Sequence, residues 1–487
     1  MDEGLIRSFS KKERSLIIAP AGCGKTEIIA KSISYSSETH EKQLILTHTH
    51  AGVKSIQDRL KKLGVARKHY HIDTIAGFAL QYSMSFPVSS GLGAEYDPIT
   101  NEWEKVYAAA KSVIANKHGK KVITASFDGI YIDEYQDCTK QQHSLILQLA
   151  NILPCRILGD PLQGIFGFHD PIVNWYEDVF PNFERIGDKN TVWTPYRWKD
   201  KNDELGIWLL QIRKNLRDGK PIDFSKMPKN CHWGQLSPQG LFPQQKVCLE
   251  KVKTKETVVA IQHLPYQAHA LAKMLNGTYT SMEEVDSKDL SKWADKIEKS
   301  NGIERAVNII DFSSLCMTVV STALATIKTK IQNADKTAKN NLKHKDIFED
   351  LVKVSESSDL SLVLFALNKI EQIPERVLYR KELWRDMFKA IEEHLSSPSE
   401  ISLQKTAWKM RDRGRSYGRA VEKRTVSRTL LIKGLEFDHC IVVNADELNA
   451  KELYVALTRG SKTLTVFSST PIVKKELPAE LQPPQKQ

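Results

Sequence analysis

Ala19-Pro20-Ala21-Gly22-Cys23-Gly24-Lys25-Thr26 follows the apolar run of residues 15–19 and opens a helical pattern over residues 26–32. A strand, a glycine-rich turn and a helix in that order predict a phosphate-binding loop. Gly22 and Gly24 let backbone amides curl around an anion, Lys25 reaches toward β- and γ-phosphates, and the Thr26 hydroxyl is placed to hold magnesium. Ala19 stands where the common pattern has its first glycine. Downstream, Phe127-Asp128-Gly129-Ile130-Tyr131-Ile132-Asp133-Glu134 reads as an apolar strand that delivers two carboxylates at its C-terminal end. Ligands bind at that end of parallel α/β sheets. Asp133 is assigned to magnesium and Glu134 to the attacking water. An acidic pair ending a strand is common in isolation; the phosphate loop upstream gives this one its meaning.

Working outward, Gln43–Thr47 and residues 130–132 and 157–159 are further short apolar strands, with a helix over residues 53–63. Strands alternating with helices predict a parallel sheet. Residues 81–125, with the turn-rich Ser89-Ser90-Gly91-Leu92-Gly93 and a helix over 103–114, interrupt the alternation and read as a small insertion. A second alternating region comes in two pieces. Residues 257–261 and 266–275 form the first; residues 425–469, with strands at 440–443 and 463–467, form the second. Between them, residues 285–415 are rich in lysine and glutamate and carry helical apolar spacing at 362–370 and 383–395, which reads as a helical insertion. The proline-bearing end, residues 476–487, reads as a frayed tail.

Bulk composition narrows the class. A length of 487 residues suits several domains, and 41% hydrophobic content suits packed cores. The formal net charge of +11 suits a polyanionic partner, because neutralising phosphates releases counterions; charge alone favours nucleic acid only slightly over a solvated lysine-rich surface. Seven cysteines are scattered without a CxxC pair, so neither a zinc site nor a disulfide framework is indicated. The acidic start and the absence of a long apolar run predict neither signal peptide nor membrane span, and the chain reads as cytoplasmic.

Asp133-Glu134-Tyr135-Gln136-Asp137 resembles the DExQD motif of UvrD/Rep-type superfamily-one helicases. Gly159-Asp160-Pro161-Leu162-Gln163-Gly164-Ile165-Phe166-Gly167-Phe168 resembles that family's GDxxQxIYxFRG segment. Leu46-Thr47-His48-Thr49-His50 resembles TFTNKAA, and Asp73-Thr74-Ile75-Ala76-Gly77-Phe78 its T-hydrophobic-HSF segment. Tyr196-Arg197 is similar to NYRS, Lys433-Gly434-Leu435-Glu436-Phe437-Asp438 to KGLEFD, and residues 453–459 to LxYVAxTR. They occur in the family's order, across most of the chain.

The resemblance implies an α/β fold of two RecA-like P-loop domains with short, mostly helical insertions and ATP between the domains. Residues 1–190 would form the first, with a 1B-like insertion at about 81–125. Residues 191–284 plus 416–475 would form the second, with residues 285–415 as a 2B-like helical insertion. It implies ATP and Mg2+ as ligands, with Gly22, Gly24, Lys25 and Thr26 on the phosphates, Tyr196 on the adenine and Glu436 on the ribose. Gln163 would sense the γ-phosphate, and Arg197 and Arg459 would act as arginine fingers from the second domain. His48, Thr74, Phe166 and Phe168 fall where the family contacts DNA. Rings suit a motor, because every base offers a π-face; ordinary core packing is the other reading of the two phenylalanines.

The chain departs from the family where His48 replaces phenylalanine, where His169 replaces the arginine of FRG, and where Leu430-Leu431-Ile432 precede Lys433 without the usual histidine. Residues 1–18 hold no glutamine, the family's adenine reader, so weak discrimination among purine nucleotides is expected. Two functions stay open. One is an ATPase translocating 3′→5′ on single-stranded or tailed duplex DNA. The other is an ATP- or DNA-sensing subunit that regulates a partner nuclease, as in antiviral defence. A P-loop kinase or GTPase is disfavoured by the DExQD motif and the paired arginines.

Overall fold

The computed structural model describes residues 3–38, 40–93, 96, 102–166, 171–187, 191–250, 252–284, 288–337, 341–396, 401–408 and 422–482. Fourteen strands are named here. They are β1 (Arg14–Ile18), β2 (Gln43–Thr47), β3 (Tyr70–Thr74), β4 (Gly129–Ile132), β5 (Cys155–Gly159), β6 (Glu184–Arg185) and β7 (Ile222–Asp223). Then come β8 (Cys231–Gln235), β9 (Val258–Gln262), β10 (Thr280–Ser281), β11 (Arg424–Arg428), β12 (Phe437–Val442), β13 (Gly460–Ser468) and β14 (Ile472–Val473). The α/β class read from the sequence is the fold: two six-stranded sheets surrounded by helices. The chain divides into two compact units. The first is Met1–Trp233 with Ala445–Leu464 and Ser469–Gln487; the second is Gly234–Asn444 with Thr465–Ser468.

In the first unit the sheet order is β3-β2-β4-β5-β1-β6, with parallel pairing throughout. β2, β4 and β5 are buried along their whole length, as expected of strands covered on both faces. β3 was not apparent as a strand, because Tyr-His-Ile-Asp-Thr at the sheet edge carries little apolar signal. The helix Trp103–Ala115, read as part of an insertion, buries Val106, Tyr107, Ala110 and Ile114 in the same core as Leu44, Leu46, Ile130 and Ile132. Its turn into Lys117–Ser126 requires Gly119, where a Cβ would lie 2.0 Å from the Val113 carbonyl oxygen.

In the second unit β10, β11, β9 and β12 pair in parallel, within a sheet of order β10-β11-β9-β12-β13-β8. The helical residues between β10 and β11 leave and return at neighbouring strands, since Thr280 pairs with Thr425. Their apolar faces share one core, in which the Phe312 and Trp384 rings stack 5.6 Å apart. All seven cysteines are buried. Among the described residues no helix is long and apolar enough to cross a membrane.

Candidate nucleotide site

Three adjacent strands of the first sheet, β4, β5 and β1, end at one place. After β1 comes the phosphate loop, after β4 the Asp133–Glu134 pair, and after β5 the turn Asp160–Gln163. The Ala19 amide donates to the Gly159 carbonyl (3.1 Å), which ties the start of the loop to the end of β5. Gly22 and Gly24 take positive φ values of 69° and 86°, the left-handed conformations that turn successive amides inward. Lys25 is 8% exposed; its Nζ donates to Gln163 Oε1 at 3.0 Å and lies 3.8 Å from Glu134 Oε1. Glu134 itself sits in the left-handed region at φ 54°, a strain that persists where surrounding structure fixes it and that clusters at functional sites.

Burial pushes the Asp133 carboxyl up to about 7; the neighbouring Glu134 charge adds to this and Lys25 opposes it. Gln136, the glutamine of the DExQD stretch, was given no role from sequence. It is 1% exposed, donates from Nε2 to Glu134 Oε2 and accepts the Asp160 amide at 2.9 Å. It therefore holds the carboxylate after β4 against the turn after β5.

Two aromatic residues that sequence reasoning passed over close on the phosphate loop. Trp198 packs so tightly on Gly22 that a Cβ there would come within 2.5 Å of its ring, and its Nε1 donates to the Gly460 carbonyl at 2.7 Å. The Tyr454 hydroxyl accepts the Ala21 amide at 3.1 Å. Each lies inside or beside a quoted motif, but nothing in motif spacing says that its ring packs on a loop. Arg197 is brought alongside: its amide donates to the Gly22 carbonyl and its Nη1 to the Thr458 carbonyl at 2.7 Å. Arg459 is 2% exposed and turned onto its own helix, with Nε donating to the Val455 carbonyl and Nη2 to Thr458 Oγ1. Both arginines belong to the first compact unit. Tyr196 is 38% exposed.

The expected DNA residues are placed unevenly. His48 is half-buried with Nε2 3.5 Å from the Cys138 sulfur. Phe166 is 41% exposed. Thr74 is buried and its hydroxyl accepts the Gly77 amide, capping the helix Ile75–Ser85. Phe168 and His169 lie outside the described residues. Glu436 is exposed in the second unit, just before β12. In that unit His269, Glu283 and Asp289 could in principle ligate a metal ion, but the Arg380 guanidinium already takes both carboxylates.

The residues fit a magnesium nucleotide. Gln163 Nε2 is buried and donates no hydrogen bond, while its Oε1 accepts from the ammonium of Lys25. Gly22, Gly24, Lys25 and Thr26 would hold the phosphates, and Thr26 and Asp133 offer hydroxyl and carboxylate oxygens of the kind magnesium takes. The metal would supply positive charge against the phosphate oxygens.

Fold and loop together give an α/β protein in which a P-loop-type strand–loop–helix stands beside the acidic pair after β4. An AAA domain family model matches residues 3–169, the stretch holding the phosphate loop, the acidic pair and Gln163. The chain is similar to the Gabija protein GajB of Bacillus cereus (strain VD045), at 26% identity over 191 residues, covering 31% of this chain. It spans 37% of that relative's length. Among solved structures it resembles the Pif1 helicase of Candida albicans with a TM-score of 0.33 and 12% identity, over 57% of this chain and 54% of that one.

Proposed function

We propose that the chain hydrolyses ATP with magnesium, is stimulated by single-stranded DNA, and translocates along it in the 3′→5′ sense that the UvrD/Rep resemblance implies. The observation that carries the hydrolytic part is the bond from Lys25 to Gln163, with Glu134 3.8 Å from the same ammonium. Lys25 offers positive charge, Gln163 keeps a spare buried donor, and Glu134 provides the base that orients and deprotonates a water. Arg197, whose amide donates to the Gly22 carbonyl, is a finger candidate in contact with the loop backbone. The described half-exposed ring of Phe166 suits base stacking.

The test is ATP hydrolysis with and without a single-stranded oligonucleotide, together with displacement from 3′-tailed and 5′-tailed duplexes. Stimulated hydrolysis with displacement of the 3′-tailed duplex alone is the expected result. Hydrolysis unaffected by DNA overturns the motor reading. Stimulation without displacement of either duplex favours the second reading, an ATP- or DNA-sensing subunit that regulates a nuclease; similarity to the Gabija protein GajB gives that reading its place.

A further inference from the structure

Arg213 lies on the helix Asp203–Arg217, outside every motif of the site. Its guanidinium makes a two-pronged pair with Asp160: Nη2 to Oδ1 at 2.8 Å and Nε to Oδ2 at 3.2 Å. Asp160 is wholly buried and Arg213 is 13% exposed. The same carboxylate also accepts the Leu162 amide at 3.3 Å, capping the single turn Pro161–Gln163. The Gln163 amide closes that turn on the Asp160 carbonyl at 2.8 Å, and the Gln163 side chain ends on Lys25. On its backbone side Asp160 donates to Gln136, which holds Glu134. One buried carboxylate thus organises both the residue beside Lys25 and the bridge to the carboxylate after β4.

A two-pronged guanidinium–carboxylate pair fixes orientation as well as distance, which an ammonium cannot reproduce. The helix bearing Arg213 begins a few residues after Trp198, whose ring rests on Gly22. That segment therefore meets the site at the phosphate loop and again at the turn after β5. We propose that Arg213 is a positioning residue for hydrolysis, acting through Asp160 to set the rotation of the Pro161–Gln163 turn and so the aim of Gln163. The inference rests on the ATPase reading of the site.

The experiment is a mutant cycle of Arg213→Lys, Gln163→Ala and the double variant in the full chain, read as kcat and KM for magnesium ATP with single-stranded DNA present. Rates are normalised to the fraction of protein that binds a fluorescent ADP analogue, which removes simple loss of folded protein. Gln163→Ala is expected to lower kcat about a hundredfold, the usual scale for losing one donor at developing charge. Arg213→Lys is expected to lower kcat about tenfold, with KM changed by less than about threefold, because the orientation is lost while the charge remains. The double variant is expected to be no slower than Gln163→Ala, since residues acting as a unit are not additive. Independent, multiplying losses overturn the proposal, as does a normalised Arg213→Lys rate equal to wild type. Should Arg213→Lys fail to fold, Asp160→Asn takes its place in the cycle with the same expectations. Wild-type protein that hydrolyses no ATP in any arm marks failure of the ATPase reading; active wild type with an unaltered Arg213→Lys rate marks failure of this inference alone.

Discussion

Tyr454 contributes one hydroxyl to the site, and that oxygen accepts the buried amide of Ala21. Tyr454→Phe keeps the ring and removes the acceptor, so the amide is left without its partner at a cost of about 1–3 kcal/mol. The expected outcome is a lower melting temperature together with weaker magnesium–ATP binding, because the loop loses one of its ties. Calorimetry and a nucleotide titration on the variant check this; unchanged values of both would show that the hydroxyl does nothing for the loop. At this scale legibility follows chemistry. Lys25, Asp133 and Glu134 were singled out because phosphate and magnesium call for such groups at the C-terminal ends of parallel strands, whereas Gln163 was singled out only through the family resemblance. Trp198, Tyr454 and Arg213 act by packing on or bracing a loop, and no residue spacing encodes which ring or guanidinium will meet which loop.

Among the elements of the second unit, β10, the helix Pro265–Met274 and the start of the helix Lys288–Lys299 meet around Arg380. Arg380 Nε donates to Glu283 at 2.7 Å and Nη2 to Asp289 at 2.7 Å, while His269 Nδ1 lies 2.6 Å from Ser281 Oγ. Burial pushes the His269 imidazole down from 6.5 to about 4; Arg380 adds to this and Asp289 opposes it. Its folded value is the lower one, so between about 6.5 and 4 the unfolded chain binds more protons than the folded one. His269 therefore makes stability fall as pH drops through that window and contributes no slope above it. Urea unfolding at pH 7 and pH 5 should show a larger loss for wild type than for His269→Gln; equal losses in the two proteins would refute the assignment. Elements were legible where apolar runs were strong, as in β2, β4, β5 and β9. β3 and β6 were not, since sheet edges and two-residue strands need no apolar run. Helix Trp103–Ala115 was seen as a helix, but its apolar face alone could not say that it packs on the first sheet.

For the whole molecule, the charge of +11 suits a polyanion, and the phosphate loop, the Asp133–Glu134 pair and Gln163 all lie within one compact unit. The order of motifs along the chain made the α/β class legible. Residues 191–233 and 445–464 gather with the first sheet through long-range bonds such as Arg213 to Asp160 and Ala21 to Tyr454. Such ties join segments remote in sequence, so local composition carries no trace of them. On the proposed reading these residues hydrolyse ATP with Glu134 as the base. Steady-state hydrolysis by Glu134→Gln, at saturating magnesium ATP and single-stranded DNA, tests it most directly. The account predicts nucleotide binding close to wild type and turnover lowered by about a hundredfold or more, the range for removing a base held against the attacking water. Turnover equal to wild type in Glu134→Gln would contradict it.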